Sequence, residues 1–483
     1  MVTIAGQIER GLGTFTALAL RWGLDPARLG VYTGLRLYLD NTNRSSLGVG
    51  LGAVQEIPIL RAAGREAEAR RVADIAHTTN TLTCLAYALG LLIWAWCRAP
   101  MVRHDPLAAE WTWGLVATAG LAILKRYESF LIAVLRARQE FAVTSAVDVV
   151  EALVSIAAVS LGLWLAGFWG LLGAVAVILG AKVAFLHARN PYRFGWAWDT
   201  PTAGRLMRVG LPILANTAAF GAVVNLDRVL ILWRVSDPDR SVGLYSIALM
   251  GTSWGLDLAG RVVSVLYTYL QTTLGRTGDA VEVARLAMRA TEGLAPLLAM
   301  GGAVAYFAGP VFLGAILPRY VDGLPALRPL LPGMTVLGLA WPARQMLITI
   351  GRPYRLALAT LAGLAISGLA GTIGADRAGI VGVAWGMTAG YAAVFGLTGL
   401  AAFVPMVGLR AWGSHLLRLA TVLGWVAGSV SLATLIDPGL GRWGDAAVRL
   451  GVLAGLVLPA MWAWGIRQGW GGLHRDRILV ECP

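Results

Sequence analysis

The feature that most constrains this chain is the recurrence of mostly apolar stretches long enough to cross the hydrocarbon core of a bilayer, which needs roughly 17–25 residues each. About fourteen such stretches are readable. In chain order they are 4–21, 29–59, 77–97, 111–135, 141–165, 168–188, 208–234, 242–270, 291–317, 327–350, 355–374, 378–404, 416–436 and 446–466. The second is interrupted by polar residues. The first carries Gln7, Glu9 and Arg10, so it either crosses or lies in the interface, and the count is fourteen or thirteen. A chain of this kind is an all-α polytopic membrane protein, and at 57% hydrophobic and 14% charged residues its composition agrees.

Loop charge orients the spans. With Met1 in the cytoplasm, the inside loops hold Arg61, Arg65, Arg70, Arg71, Arg136, Arg138, Arg189 and Arg193, among others, and the outside loops about half as many basic residues. Both termini are then cytoplasmic and the location is the inner (plasma) membrane. The N-terminus has no basic n-region or small-residue cleavage site, so it reads as an uncleaved first helix. The net charge of +13 is spread over short loops, which excludes nucleic acid as the partner. All loops are short, so function must reside in the helices. The least apolar junction, HARNPYRFGWAWDTPTAGR, divides an N-terminal lobe, 1–190, from a second lobe, 205–404, and residues 405–483 add two helices and a cytoplasmic tail.

Ionisable groups at bilayer depth cost about 2.5–3.5 kcal/mol each on insertion scales, so they face a bundle interior or a wet cavity. Arg36, Asp40 and Arg44 share one face of the second span, beside Tyr32 and Asn43. On the fifth, Asp148 and Glu151 lie at i, i+3 and require a cation or a proton between them. Lys125, Arg126 and Glu128 cluster on the fourth, and Lys182 lies in the sixth. In the second half, Asn216 and Asp227 are nearly in phase, Asp257 and Arg261 form an i, i+4 pair of structural type, and Arg344 follows in the tenth span. The unpaired cations Arg36, Arg44, Lys125, Arg126, Lys182 and Arg344 would build a cationic interior suited to a diphosphate, since guanidinium binds phosphate oxygens bidentately. Tyr32 and Asn43 would meet sugar hydroxyls, with Asp40 holding the arginines. Asp227, or the Asp148 and Glu151 pair, would carry a coupling proton.

The tryptophans near span ends, among them Trp94, Trp96, Trp111, Trp113, Trp196, Trp198 and Trp462, read as interfacial belts. Pro212, Pro296 and Pro342 are expected to kink helices. Cys84, Cys97 and Cys482 are not at metal-ligand spacing, and His77, His104, His187, His415 and His474 are scattered, so no cofactor, metal centre or nucleophile–base pair is expected.

Four stretches resemble the polysaccharide transporter family of lipid-linked oligosaccharide flippases. They are LGVYTGLRLYLDNTNRSSLGVGLGAVQEIPILRAAGREAEARRV, then RVGLPILANTAAFGAVVNLDRVLI with VGLYSIA, then ILPRYVDGLPALRPLLPG, and more weakly KRYESFLIAVLRARQEF. Together they span roughly residues 29–400 in the family's order. The resemblance implies the fold of the multidrug/oligosaccharidyl-lipid/polysaccharide exporter superfamily: two six-helix lobes around a central cavity, plus two C-terminal helices, alternating between inward- and outward-open states. It implies a polyprenyl-diphosphate-linked oligosaccharide as substrate, surface polysaccharide synthesis as the process, membrane lipid as a second partner, and glycan polymerases as downstream partners. Two other classes fit less well. A cation antiporter of the same superfamily would want an acidic cavity, and a glycan polymerase or ligase would want a long external loop bearing catalytic residues.

Overall fold

The computed structural model describes residues 13, 15–62, 64–103, 106–137, 141–190 and 195–467. The described regular structure is helical. Residues 15–23 form α1, followed by α2 (Pro26–Asn41), a 3-10 turn (Thr42–Ser46), α3 (Val49–Ala62), α4 (Glu66–Arg98), α5 (Pro106–Ala137) and α6 (Phe141–Arg189). Then come α7 (Thr200–Arg234), α8 (Pro238–Thr277), α9 (Ala280–Ile316), a 3-10 segment (Pro318–Ala326), α10 (Leu327–Leu339), α11 (Trp341–Thr349), α12 (Pro353–Thr434) and α13 (Gly441–Arg467). Seven helical stretches among the described residues are long and apolar enough to cross a membrane. The chain is thus an all-α, multi-pass membrane protein.

Helix boundaries follow local chemistry. Asp25 caps α2 by accepting from the backbone N–H groups of Ala27 (3.0 Å) and Arg28 (3.1 Å), with Pro26 in the first turn, where its missing donor costs nothing. Asp199 caps α7 through the Thr202 N–H, and hydrogen bonds from the Thr202 side chain and then its N–H hold the exposed carboxyl below the usual range. Asp279 caps α9 at Val281, directly after Gly278 ends α8 in the left-handed region with φ of 64°.

Two helices are too long to be single crossings. As straight rods α6 and α12 would run about 70 Å and 120 Å, against a hydrocarbon core of about 30 Å. In α6 the backbone leaves helical geometry at Ala166 (φ −145°, ψ 22°) and Gly167 (φ 53°, ψ −127°). There the chain reverses, because a Cβ on Gly162 would overlap the Gly170 carbonyl and one on Gly170 the Gly162 carbonyl. In α12, Ala378 (φ −144°, ψ 24°) and Gly379 (φ 53°, ψ −132°) repeat the same backbone path, with Gly374 and Gly382 in the corresponding reciprocal contact. Both places spell Gly-x-x-x-Ala-Gly-x-x-Gly, at 162–170 and 374–382. Glycine is required because the two arms touch backbone to backbone. A further break at Gly408 (φ 82°) brings the Trp412 indole onto Gly399.

Pro342 sits in the first turn of the separate helix α11 rather than kinking a continuous span, whereas Pro212 and Pro296 lie inside α7 and α9. Trp111 is not a belt residue. It is buried, and its indole N–H donates to Asp239 at 2.8 Å. Trp96, Trp113, Trp196, Trp198 and Trp462 are exposed.

The chain forms two compact units. Unit 1 comprises 1–221 with 237–243; unit 2 comprises 222–236 with 244–483. In unit 1 the interrupted second span is locked in place: Gly48 meets the backbone of Gly210, Gly52 meets Leu206, and Arg205 pairs with Glu56 at 2.6 Å. In unit 2, a core of Met288, Met346, Leu347, Phe403 and Trp412 joins α9, α11 and α12.

The hairpin contact makes a direct prediction. Gly162→Leu forces the arms of α6 apart and is expected to lower stability by about 1–3 kcal/mol. Gly173→Leu, at a position with nothing within 4 Å, is expected to leave thermal unfolding in detergent unchanged.

Candidate functional site

Unit 1 encloses a cavity of about 350 Å³ lined by α1, α2, α5 and both arms of α6. One wall is polar, with Tyr32, Arg36 and Asp40 from α2, Lys125 from α5, and Asp148 and Glu151 from the first arm of α6. The remaining lining is largely apolar, including Leu20, Val159, Leu172, Val175 and Leu179. The cavity therefore has the amphipathic character of a site for a molecule with a polar head.

Behind the polar wall lies an ion cluster. Lys182, on the second arm of α6, reaches Glu128 of α5 at 2.8 Å and Asp148 of the first arm at 3.2 Å, and also pairs with Glu151. Lys125 closes the network at 2.6 Å from Glu128. Glu128 and Lys182 are almost wholly buried, with side chains 2% and 7% exposed, while Asp148, Glu151 and Lys125 are 27%, 32% and 31% exposed at the cavity. The cation that the Asp148 and Glu151 pair requires is thus Lys182, delivered by the hairpin at Ala166–Gly167.

The six cations expected to be unpaired are paired or placed differently. Arg36 lies 3.8 Å from Asp40, one helical turn on, with both side chains exposed to the cavity. Arg126 is buried and donates to the Thr42 carbonyl and the Ser45 hydroxyl, and to Asn80 at 3.2 Å. It supplies the donors that the broken second span lacks, since carbonyls freed at a helix break must be satisfied inside the membrane. Arg44 donates to Asn41 and lies against Gly221. Asn43 donates to Ser129 at 2.9 Å. Arg344 belongs to unit 2 and stacks over Trp341 at 5.8 Å. Of the six, Arg36 and Lys125 line the cavity.

Asp227 is wholly buried in unit 2. Its carboxylate accepts from the Arg228 N–H at 2.7 Å and interacts electrostatically with Tyr245 and Tyr391, which are also wholly buried. Arg228 in turn binds Asn225. Asp257 lies on α8; the side chain of Arg261 lies outside the described residues.

A second buried cluster in unit 2 was not legible from spacing. Glu292 of α9 is held by His415 Nδ1 at 2.7 Å and Arg418 Nε at 2.8 Å, both on the last arm of α12. The one usable signal is Glu292 itself, a carboxylate inside an apolar stretch, which demands a partner. Where that partner sits is set by the reversal at Gly408.

A family model described as polysaccharide biosynthesis protein matches residues 63–298. No curated protein sequence matches the chain. Among solved structures, the lipid II flippase MurJ in an inward closed conformation is similar with a TM-score of 0.72 at 11% identity, covering 96% of this chain and 99% of that one. A multidrug resistance MATE family transporter of the MOP superfamily, in an inward-facing conformation, gives 0.59 at 14% identity, with coverage of 86% and 95%. The Vibrio cholerae MATE transporter VcmN, in its bent form, gives 0.51 at 14% identity, with coverage of 86% and 99%. At these identities the structures speak for the fold.

Breaking the cluster tests its energetics. Lys182→Met leaves Glu128, Asp148 and Glu151 with one lysine among them and is expected to cost about 3–5 kcal/mol. Lys125→Met, which removes a more exposed partner of Glu128 alone, is expected to cost less; thermal unfolding of both variants in the same detergent ranks them.

Proposed function

We propose that this chain, a member of the polysaccharide biosynthesis and flippase family of the MATE/MurJ (MOP) superfamily, is a transporter that moves a lipid-linked oligosaccharide from the cytoplasmic to the outer leaflet for surface polysaccharide synthesis. The observation that carries the reading is the amphipathic cavity of unit 1, with cations and hydrogen-bonding groups on one wall and an apolar remainder, in a chain of this family and fold. The family is one of transporters, and the function is translocation rather than bond chemistry.

The diphosphate of the head group binds at Arg36 and Lys125, the cations that line the cavity, and the sugars lie against Tyr32 and the neighbouring carboxylates. Arg126 and Lys182 act as positioning residues, the first at the break in the second span and the second beneath the carboxylate wall. Arg44 and Asn43 shape that break. The polyprenyl tail stays in lipid. The reversals within α6 and α12, added to the other helices, support a count of about fourteen crossings arranged as two six-helix lobes with two helices appended, and both termini in the cytoplasm. Alternating access then carries the head across, and glycan polymerases take the product at the outer face.

For coupling, Asp227 is the better candidate. The Asp148 and Glu151 pair already shares a lysine that holds one oxygen of each, whereas Asp227 is wholly buried beside two tyrosines. A second reading, exchange of an organic cation, draws on the three carboxylates that face the cavity.

The test is translocation of a fluorescent polyprenyl-diphosphate oligosaccharide in proteoliposomes, with leaflet location read by an impermeant quencher. Wild type is expected to move it, and folded Arg36→Ala and Lys125→Ala to slow it about tenfold or more, the loss of one charge-assisted phosphate contact each. Failure of wild type to move this lipid, with exchange of a small organic cation for protons instead, would install the second reading.

A further inference from the structure

The charge on the cavity wall runs against the charge of the chain. The protein carries a net +13. The ionisable groups that line the cavity are Arg36 and Lys125 against Asp40, Asp148 and Glu151. Lys182 does not reverse this balance for a ligand. Its ammonium has three N–H donors, and all three are directed at protein carboxylates, Glu128 Oε1 at 2.8 Å, Asp148 Oδ1 at 3.2 Å, and Glu151 Oε2. With its side chain 7% exposed, it has neither a donor nor a surface to offer. Asp148 and Glu151 are different. Each gives one oxygen to Lys182 and lines the cavity about a quarter to a third exposed, 27% and 32%. Their second oxygens, Asp148 Oδ2 and Glu151 Oε1, are the ones left for a ligand.

We infer that the wall formed by Asp148 and Glu151 is a selectivity surface, which admits glycan heads that are neutral or carry free amino groups and rejects heads rich in uronic acids. This rests on the flippase reading above and deepens it by naming the class of sugar. A fixed carboxylate oxygen accepts strong, charge-assisted hydrogen bonds from sugar hydroxyls, and pairs directly with the ammonium of an amino sugar. A uronate in the same place sets like charges together in a site of low effective dielectric, where repulsion is several times its value in water. The lysine beneath adds precision: by holding one oxygen of each carboxylate it fixes the orientation of the other, so the wall is preorganised rather than mobile. The diphosphate, which every such substrate shares, goes to Arg36 and Lys125, and the sugars that differ between substrates meet the carboxylates. Discrimination of this kind works by a repulsive element against the wrong ligand as much as by attraction to the right one.

The experiment uses the full chain in lipid nanodiscs and three short-chain polyprenyl diphosphates that differ only in a disaccharide head: neutral, amino-bearing, and uronate-bearing. Binding of each is measured by microscale thermophoresis at neutral pH. The neutral and amino heads are expected to bind about tenfold or more tightly than the uronate head, the size of effect one unfavourable charge pair produces. Asp148→Asn combined with Glu151→Gln is expected to narrow that gap mainly by strengthening uronate binding. A uronate head that binds wild type as tightly as the neutral one overturns the inference while leaving the flippase reading in place. Binding of none of the three lipids removes the flippase reading and the inference with it. Where the double variant does not fold, the order of affinities in wild type still decides.

Discussion

The architecture of unit 1 depends on one buried lysine. A bilayer interior penalises every uncompensated charge, so placing Glu128, Asp148 and Glu151 within reach of one another is tolerable only because Lys182 sits among them. Lys182 and its partners come from α5 and from the two arms of α6, so the ion cluster and the α6 hairpin require each other. The glycines at 162 and 170 let the arms close, closure delivers the lysine, and the lysine permits two carboxylates to line a cavity at membrane depth. A ligand meets the result of that chain of dependence rather than the lysine itself.

The break in the second span shows the same economy. A polar run, Asn41 to Ser46, cannot remain a regular helix facing lipid, and the chain answers with a 3-10 turn and two left-handed residues, Leu47 and Gly48. The freed carbonyl and hydroxyl are taken by Arg126, and the following helix is fixed to α7 through glycine contacts. In unit 2, α12 repeats the hairpin of α6 almost torsion for torsion. The hairpin is thus shared between the units, and the break in the second span lies beside the cavity.

Much of the fold was legible because the bilayer enforces it. The multi-pass helical class, the interruption of the second span and the division of α6 near residue 166 follow from hydropathy and from glycine and polar residues in apolar context. The demand for a cation beside Asp148 and Glu151 was also legible, since i, i+3 spacing places both on one face. Its identity was not: Lys182 lies some thirty residues away and meets them through a chain reversal whose geometry spacing does not encode. The same gap explains the cations that turned out to have partners. Arg126 reads as a free charge until the freed carbonyl at Thr42 is known, and Trp111 reads as an interfacial residue until Asp239 is placed beside it. The His415 and Glu292 contact escaped notice because tertiary packing alone brings those two helices together.

The central claim is that the polar head of a lipid-linked glycan occupies the cavity of unit 1. The most direct measurement is photo-crosslinking of the full chain in nanodiscs with a polyprenyl-diphosphate glycan carrying a diazirine on its first sugar, followed by peptide mapping by mass spectrometry. The account predicts adducts on peptides from α2, α5 and α6, competed away by unlabelled lipid. Competable adducts confined to other helices, with α2, α5 and α6 unmodified, would contradict it.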